Sequence, residues 1–409
     1  MKKLLILLVL SLIALPIKAQ WILMPTPNQE ILKDIVFLNE NTGIVVGFSG
    51  VILKTTNAGS TWVTKNTLPS SILGSVCYLG NQTLIAVGVS GKILRSTDLG
   101  ETWLNITSPV STHLLCLNFI NDLTGYACGA DVTIIKTTDA GLTWQIKNNS
   151  PGSGTYLSCH FFNELTGLVA RSSPDIIART TNGGLNWTTV LSTSPSTGTA
   201  FAFANATTGV VMTDGGSIYK TTNAGINWAI TQVGTSSYGL YAGCFINDNI
   251  GYVVGKKSGL PTGGVIIKTG NRGDNWTTEA TFNDELWGFA CNSAYLYAVG
   301  QNGSIYRTVN PVGIIPIGTT VPSEYVLSQN YPNPFNPTTN IEFLIPKNGV
   351  VKLQVFDMMG REVSTLVDQN LVAGKYKVDF NGSNLSSGTY FYKLTAEGYR
   401  EVKKMVLMK

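Results

Sequence analysis

Seven tryptophans divide the chain at nearly equal intervals, and this spacing constrains the fold more than any other feature. They are Trp21, Trp62, Trp103, Trp144, Trp187, Trp228 and Trp276, with steps of 41, 41, 41, 43, 41 and 48 residues. Six of them end a similar phrase, such as STDLGETW at 96–103 and TTDAGLTW at 137–144, whereas Trp21 lacks it. A period of this length indicates repeated structural units that stack on one another.

The third unit, residues 114–147, shows what one repeat contains. We predict strands at 115–120, 126–129, 133–138 and 143–147, separated by turns rich in Asn, Asp and Gly. Four antiparallel strands in about 42 residues make a unit of the size of a β-propeller blade. The strands carry apolar runs instead of strict alternation, which fits sheets covered on both faces by neighbouring blades.

The isolated Trp21 predicts how the ring closes. Seven units are counted from inner strands near Phe37, Tyr78, Phe119, Phe161, Phe203, Phe245 and Phe289. The last unit ends near Asn310 without a tryptophan strand. We therefore expect residues 21–25 to supply the fourth strand of the blade formed by residues 287–308, which leaves no free sheet edge. The sequence thus predicts an all-β, seven-bladed propeller over residues 21–310.

The repeated phrase has a physical role as a turn. Its Asp or Asn can accept backbone hydrogen bonds, its Gly can adopt positive φ, and its Trp can wedge between blades. The phrase resembles the Asp-box, or BNR repeat, of sialidases and of propellers similar to the photosystem II assembly factor. This resemblance implies a structural turn away from any catalytic face, so Asp98, Asp139 and the seven tryptophans are expected to be architectural.

The first 20 residues have the composition of a secretory signal peptide. Two lysines precede an apolar run from Leu4 to Leu15, and the small residue Ala19 follows. No later segment is long enough for a transmembrane helix. Charged residues are only 13% of the chain, and the net charge of +4 comes from scattered Lys and Arg, so nucleic-acid binding has little electrostatic support. We expect a secreted, monomeric propeller.

A second domain follows a predicted linker at 311–322. Turns at 359–360, 381–382 and 387–388 separate about seven short strands, which predicts an immunoglobulin-like sandwich over residues 323–409. The motifs PNPFNPTT, FDMMGREV, LSSGTY and KKMVLMK occur in this order. They closely resemble the type A C-terminal sorting domain of the type IX secretion system. The resemblance implies handling by that machinery and export through the outer membrane, usually followed by removal of the domain and by release or surface attachment.

Cysteines and histidines give little support for chemistry at a metal or catalytic centre. Five cysteines fall in predicted first strands of different repeats, where buried free thiols are expected: Cys77, Cys116, Cys159, Cys244 and Cys291. A disulfide is considered only for Cys116 with Cys128, which lie across one predicted hairpin. The two histidines, His113 and His160, are too few for a His-rich metal site. We expect no metal and no cofactor, and without an Arg-Ile-Pro motif the resemblance does not carry sialidase activity.

One cation recurs before the turn in every repeat. A basic ring that binds anionic partners is one interpretation, but recurrence in all units favours a structural role, with the stem packed and the head group bonded to the adjacent turn. The set comprises Lys54, Arg95, Lys136, Arg179, Lys220, Lys268 and Arg307.

Ligands of propellers usually meet the face formed by the loops between strands two and three and between blades. These loops include 151–156, 192–199, 235–241 and 283–287, and an insertion at 256–264 lies on the same face. The predicted ligand patch on this face comprises Tyr156, Tyr238, Tyr241, Lys256, Asp284, Glu285 and Trp287. Aromatic platforms with polar rims suit glycans or peptide segments, although exposed loop aromatics also occur without a ligand.

Three functions are compatible with these features. The leading hypothesis is a non-catalytic exported propeller that binds a protein or glycan at the cell surface. A glycoside hydrolase is the second, because Asp34 and Glu285 could supply paired carboxylates if they lie roughly 5 to 9.5 Å apart. An assembly factor for a membrane complex is the third, and it rests on fold analogy alone.

Overall fold

The structure is a computed structural model that describes residues 21–66, 71–147, 154–172, 177–192, 196–231, 238–257, 262–292, 294–310, 314–316, 322–347, 349–371, 373–382 and 385–408. The predicted signal peptide lies outside these residues. Within them, the regular elements are strands and two three-residue 3-10 turns, Val89–Gly91 and Gln301–Gly303. No helix in this part of the chain is long and apolar enough to cross a membrane. The all-β prediction is confirmed.

Six blades are antiparallel meanders of four consecutive strands. The first three comprise Leu32–Phe37, Gly43–Gly47, Ile52–Thr55 and Val63–Asn66; Leu73–Gly80, Thr83–Gly88, Ile93–Ser96 and Leu104–Asn105; and Leu114–Phe119, Gly125–Gly129, Ile134–Thr137 and Gln145–Ile146. The next three comprise Tyr156–Phe161, Gly167–Arg171, Ile177–Thr180 and Thr188–Leu191; Gly198–Phe203, Gly209–Thr213, Ile218–Thr221 and Ala229–Thr231; and Tyr238–Phe245, Gly251–Lys257, Gly263–Thr269 and Thr277–Phe282.

The seventh blade takes its strands from both ends of the propeller. Leu286–Cys291, Tyr295–Gly300 and Ile305–Val309 pair in sequence, and Ile22–Met24 adds as the fourth strand. Ile22 pairs with Arg307 and Met24 with Ile305. The first strands of all seven blades contact one another in cyclic order, the seventh meeting the first. The predicted closure by the N-terminal strand is therefore confirmed.

The core of the propeller lies between the blades. Every residue of the second strand Gly43–Gly47 is buried, because both faces of its sheet are covered. Trp62 of the first blade is 5% exposed and packs with Tyr297 and Val299 of the seventh. Trp144 and Trp276 fill the corresponding places between the second and third and between the fifth and sixth blades.

The Asp-box turn is held by its own side chains. Ser96 Oγ donates a hydrogen bond of 2.7 Å to Asp98 Oδ1, which also accepts the backbone N–H of Thr102 at 2.9 Å. Desolvation of the carboxylate favours a higher pKa, but these hydrogen bonds outweigh it and lower the pKa of Asp98 to about 2. Gly100, at φ +81°, donates its N–H to Ser96 Oγ. The same bond from the Gly recurs at Gly59, Gly141, Gly184, Gly225 and Gly273.

Six of the seven recurrent cations join one blade to the next, and Lys268 instead contacts its own blade. Lys54, only 5% exposed, places its Nζ 2.7 Å from Glu101 Oε1 in the turn of the second blade. Arg307 of the seventh blade donates to the backbone oxygen of Ala58 in the first, across the point where the ring closes. Lys268 lies over the ring of Tyr252. The other contacts join Arg95 to Ala140, Lys136 to Glu164, Arg179 to Ala224 and Lys220 to Asp274.

The C-terminal region is a sandwich of two four-stranded antiparallel sheets. In sheet order, the strands are Ile314–Pro316, Gly374–Asn381, Thr338–Ile345 and Val326–Leu327 in one sheet, and Glu362–Leu371, Gly349–Phe356, Gly388–Ala396 and Tyr399–Leu407 in the other. Buried and half-buried residues alternate along Thr338–Ile345, as expected when one sheet face meets the core. Part of the predicted linker is therefore a strand, because Ile314–Pro316 pairs with residues 376–378.

Candidate functional site

A β-bulge occurs at the same place in the first strand of every blade. In the first blade the pairing register shifts between Leu32 and Asp34, so that Lys33 is the extra residue. Bulges redirect a side chain out of the regular alternation. The extra residues of the seven blades are Lys33, Gly74, Leu115, Leu157, Thr199, Tyr241 and Trp287. All seven line one cavity at the centre of the ring.

A closely packed glycine lies beside the bulge in five of the seven blades, whereas the fourth and fifth have Arg171 and Thr213 at that place. In the third blade, a Cβ added to Gly129 would lie 1.8 Å from the backbone oxygen of His113, just before the first strand. Only a residue without a side chain permits this approach. Gly47, Gly88, Gly255 and Gly300 occupy the same place in four other blades.

The cavity has a volume of about 550 Å³, within the usual range for ligand sites. Its polar residues include Asp34, Ser75, Asp214 and Lys256. Leu115 and Leu157 come from the third and fourth blades, so by the cyclic order they face the seventh blade across the channel. One side of the cavity is thus apolar and the other aromatic and charged.

Four side chains form a stack on the aromatic side. Lys33 Nζ lies 3.8 Å from the centroid of the Trp287 ring, and Tyr241 stacks on Trp287 at 4.3 Å with an interplanar angle of 13°. Lys256 Nζ lies 6.0 Å from the Tyr241 centroid. Both faces of Trp287 are therefore covered, since two groups at these distances cannot share one face. We call this group the cation–aromatic stack.

The channel environment changes the acidity of the stack. Burial lowers the pKa of Lys33 to about 8, although the nearby Asp34 carboxylate opposes the shift. Burial raises the pKa of Tyr241, and the hydrogen bond with Tyr241 raises that of Lys256. Lys33 remains mostly protonated at pH 7 and supplies a positive charge beside the ring of Trp287.

Asp34 joins the first blade to the second. Its Oδ2 accepts hydrogen bonds from Ser75 Oγ and Val76 N, both at 2.9 Å, and its Oδ1 accepts the N–H of Ile35 at 2.9 Å. Burial raises the pKa of Asp34 to about 6, while these three hydrogen bonds limit the rise. Ser75 Oγ in turn accepts the N–H of Leu117 in the third blade. These hydrogen bonds form a polar seam that joins the first three blades on one side of the channel.

The structure separates the predicted ligand residues into two groups. Tyr241, Lys256 and Trp287 line the cavity together. Two predicted members of the patch are wrong as exposed platforms: Tyr156 is fully buried and Tyr238 is 8% exposed.

The acidic members of the predicted patch do not line the cavity. Asp284 accepts hydrogen bonds from Asn302 Nδ2 and Tyr306 OH, at 2.8 and 3.1 Å. Glu285 is half-buried and, like Asp284, is absent from the described lining. The predicted pairing of Asp34 with Glu285 across one cavity is not seen among these residues. The insertion at 256–264 lengthens the second and third strands of the sixth blade, and its residues 258–261 lie outside the described residues.

Cys116, Cys128 and Cys159 form a cluster beside the channel. Their sulfur atoms lie within 4.8 Å of one another, and only Cys116 lines the cavity. All six cysteines are free thiols in the structure, Cys116 and Cys128 included although they pair in register. Of these thiols, only Cys128 and Cys159 are fully buried, which corrects the expectation that those of the first strands are all buried. His160 stacks on Phe203, and burial lowers its pKa to about 4.

Several lining residues were not predicted from the sequence. Lys33, Leu115, Leu157 and Thr199 look unremarkable singly, because each follows the first buried residue of its inner strand. Their signal is positional, since the same step of the repeat yields one channel residue per blade. Aligning the repeats on their inner strands would have found them.

Similarity to known families agrees with this architecture. Residues 14–108 and 102–311 match the family "Photosynthesis system II assembly factor YCF48". The chain belongs to this family. Residues 329–408 match the "Secretion system C-terminal sorting domain". The protein thus carries a type IX sorting domain, which directs export through the outer membrane to the cell surface or beyond. No curated protein matches the chain in sequence.

Solved structures similar to this YCF48-family chain include both binding proteins and enzymes. YCF48 from Cyanidioschyzon merolae is 20% identical with a TM-score of 0.59, covering 71% of this chain and 99% of its own. A structure of YCF48 bound to D1 peptide is 17% identical with a TM-score of 0.60, covering 73% and 99%. The GH74 xyloglucanase of Xanthomonas campestris is 11% identical with a TM-score of 0.57, covering 80% and 59%. These likenesses show the shared fold.

Proposed function

We propose that this exported propeller is a non-catalytic binding protein that holds an extended segment of another protein at the mouth of its channel. The observation that carries this proposal is the ring of seven bulge residues around one cavity of about 550 Å³. A scaffold that presents one bulge residue per blade suits a ligand that crosses several blades. A similar propeller of the same family has been seen with a bound peptide.

The chemistry of the cavity favours a peptide over a glycan. Sugars bind proteins by stacking on open aromatic faces, but Lys33 and Tyr241 cover both faces of Trp287. A peptide can place an apolar side chain against Leu115 and Leu157 and direct its carbonyl groups toward Lys33 and Lys256. The ligand expected here is therefore an extended peptide with at least one large apolar side chain.

Binding can be tested with a random peptide display library and a glycan array, both probed with the purified full-length chain. We expect enrichment of peptides with a shared apolar position, and a loss of affinity for them of about tenfold or more in Trp287→Ala, because buried aromatic anchors dominate binding energy. Tyr331→Ala is the control, since Tyr331 is 80% exposed and lies in the sorting domain. Selective retention of glycans without peptide enrichment would reverse the choice of ligand.

A glycoside hydrolase is the alternative supported by a specific observation. Asp34 lines the cavity with a pKa of about 6, which is suited to a general acid, and GH74 enzymes share the fold. Against it, both carboxylate oxygens of Asp34 already accept hydrogen bonds within the seam. Hydrolysis of xyloglucan oligosaccharides or aryl glycosides by the wild type, lost in Asp34→Asn, would establish this alternative.

Assembly of a membrane complex is a third proposal, supported only by family membership. It requires that deleting the gene depletes a membrane complex. The wild-type chain should restore that complex, whereas Trp287→Ala should not.

A further inference from the structure

The seventh blade departs from the others at the end of its first strand. In five blades a phenylalanine there pairs with a glycine, as Phe245 does with Gly251, and its ring covers the position of the missing Cβ. The second blade has Tyr78 opposite Leu84. In the seventh blade Cys291 takes the place of the ring, opposite Leu296. The contact between the sixth and seventh blades thus lacks an aromatic side chain that every other blade supplies.

A second cysteine faces this position from the sixth blade. Cys244 lies on the first strand Tyr238–Phe245, and its Sγ is 2.7 Å from Cys291 Sγ. Two carbon atoms touch at roughly 3.5–4.0 Å, and sulfur is larger than carbon, so two separate thiols overlap at this distance. A bonded pair of sulfurs requires about 2.05 Å. A small movement of either side chain relieves the overlap by forming a bond.

We infer that Cys244 and Cys291 become a disulfide when the protein is exported, and that this bond ties the sixth blade to the seventh. The periplasm and cell surface favour stable disulfides. The thiolate is the attacking form of a cysteine, and either cysteine of this half-buried pair can supply it.

The reaction needs a disulfide as oxidant, either a small-molecule disulfide or that of a thiol oxidase. The thiolate of one cysteine attacks one sulfur of the oxidant, which forms a mixed disulfide and releases one thiol. The other cysteine then attacks the cysteine sulfur of the mixed disulfide, forms the bond between the blades and releases the second thiol. Two electrons and two protons leave the protein with the two thiols of the reduced oxidant.

The location gives this bond a mechanical role. The seventh blade is completed by the three-residue strand Ile22–Met24, which comes from the other end of the propeller. A covalent bond to the sixth blade holds the seventh in place even when the N-terminal strand separates. Neither Cys77 nor the Cys116 cluster touches this interface.

The test uses full-length protein collected from the exporting cells and alkylated at once under denaturing conditions. We expect four alkylated thiols of the six cysteines, and a proteolytic peptide pair joined through Cys244 and Cys291. Dithiothreitol should lower the melting temperature by roughly 5 °C, because a cross-link between residues 47 positions apart restricts the unfolded state. Cys244→Ser should melt at the lower temperature and lose the response to dithiothreitol.

Cys77→Ser is the matched control, since it removes a thiol from an equivalent first strand and should keep the full response. Six alkylated thiols in the exported wild type would overturn the inference. So would a cross-linked peptide that joins Cys116 to Cys128 or to Cys159 while Cys244 is alkylated. Both readouts remain informative if Cys244→Ser does not fold, because they use the wild-type chain.

Discussion

At the scale of single residues, Asp34 illustrates how the channel balances opposing effects. Its carboxylate accepts hydrogen bonds that connect two blades, yet its surroundings favour the protonated acid. A carboxyl group held in this way makes a structural contribution that depends on pH. It can serve as a seam residue in a binding protein and still have the acidity expected of a catalytic acid.

The pH dependence of stability tests this description. The pKa of Asp34 rises from 3.8 to about 6 on folding, so the folded protein binds more protons than the unfolded chain between these values. Stability should therefore fall as pH rises from about 4 to about 6, then level off. Relative to Asp34→Asn, we expect the wild type to lose about 1–2 kcal/mol of unfolding free energy across this range, measured by urea denaturation. If the unfolding free energies of the wild type and Asp34→Asn change with pH in parallel, the raised pKa of Asp34 is contradicted.

At the scale of elements, a glycine in the adjacent strand packs closely beside the bulge of the third blade. Gly129→Ala places a Cβ against the backbone oxygen of His113, and the backbone cannot yield as a flexible side chain would. We expect a loss of about 2 kcal/mol or more in unfolding free energy, the upper part of the range for overpacked sites. Gly270→Ala is the control, because its added Cβ meets nothing within 4 Å, and it should change stability by less than about 0.5 kcal/mol. If Gly129→Ala and Gly270→Ala change the unfolding free energy equally, the close backbone contact beside the bulge is not the cause of the loss.

The sequence predicted the elements better than it predicted the site, for a physical reason. Strand predictions in the third blade differ from the structure by one or two residues at most of their ends, because apolar runs and turn residues are local signals. Trp144 lies just before its strand instead of within it. Tyr156 and Tyr238 were placed in exposed loops, but each begins a first strand and is buried against the neighbouring blade. Burial of this kind depends on the arrangement of the blades, which a single repeat does not encode.

At the scale of the whole molecule, closure of the ring depends on the N-terminal strand and the tryptophan beside it. Trp21 is half-buried, with its ring centroid 6.3 Å from that of Phe282 and 6.2 Å from that of Phe289. Because it is half-buried instead of fully enclosed, Trp21→Ala should cost about 2–3 kcal/mol, somewhat less than the loss of a core tryptophan. Leu23→Ala, on the same strand but 57% exposed, should cost under about 0.5 kcal/mol. Thermal unfolding of both variants decides this, and an unchanged melting temperature for Trp21→Ala would show that closure contributes little.

The one-residue bulge on each blade has a consequence for how binding specificity can change. Each bulge residue belongs to a different repeat, and the same backbone irregularity presents it in all seven. Substitutions at well-separated positions such as Lys33 and Leu157 should then act additively on affinity. Specificity can therefore change one blade at a time at separated positions, whereas Lys33, Tyr241 and Trp287 contact one another and are expected to change together.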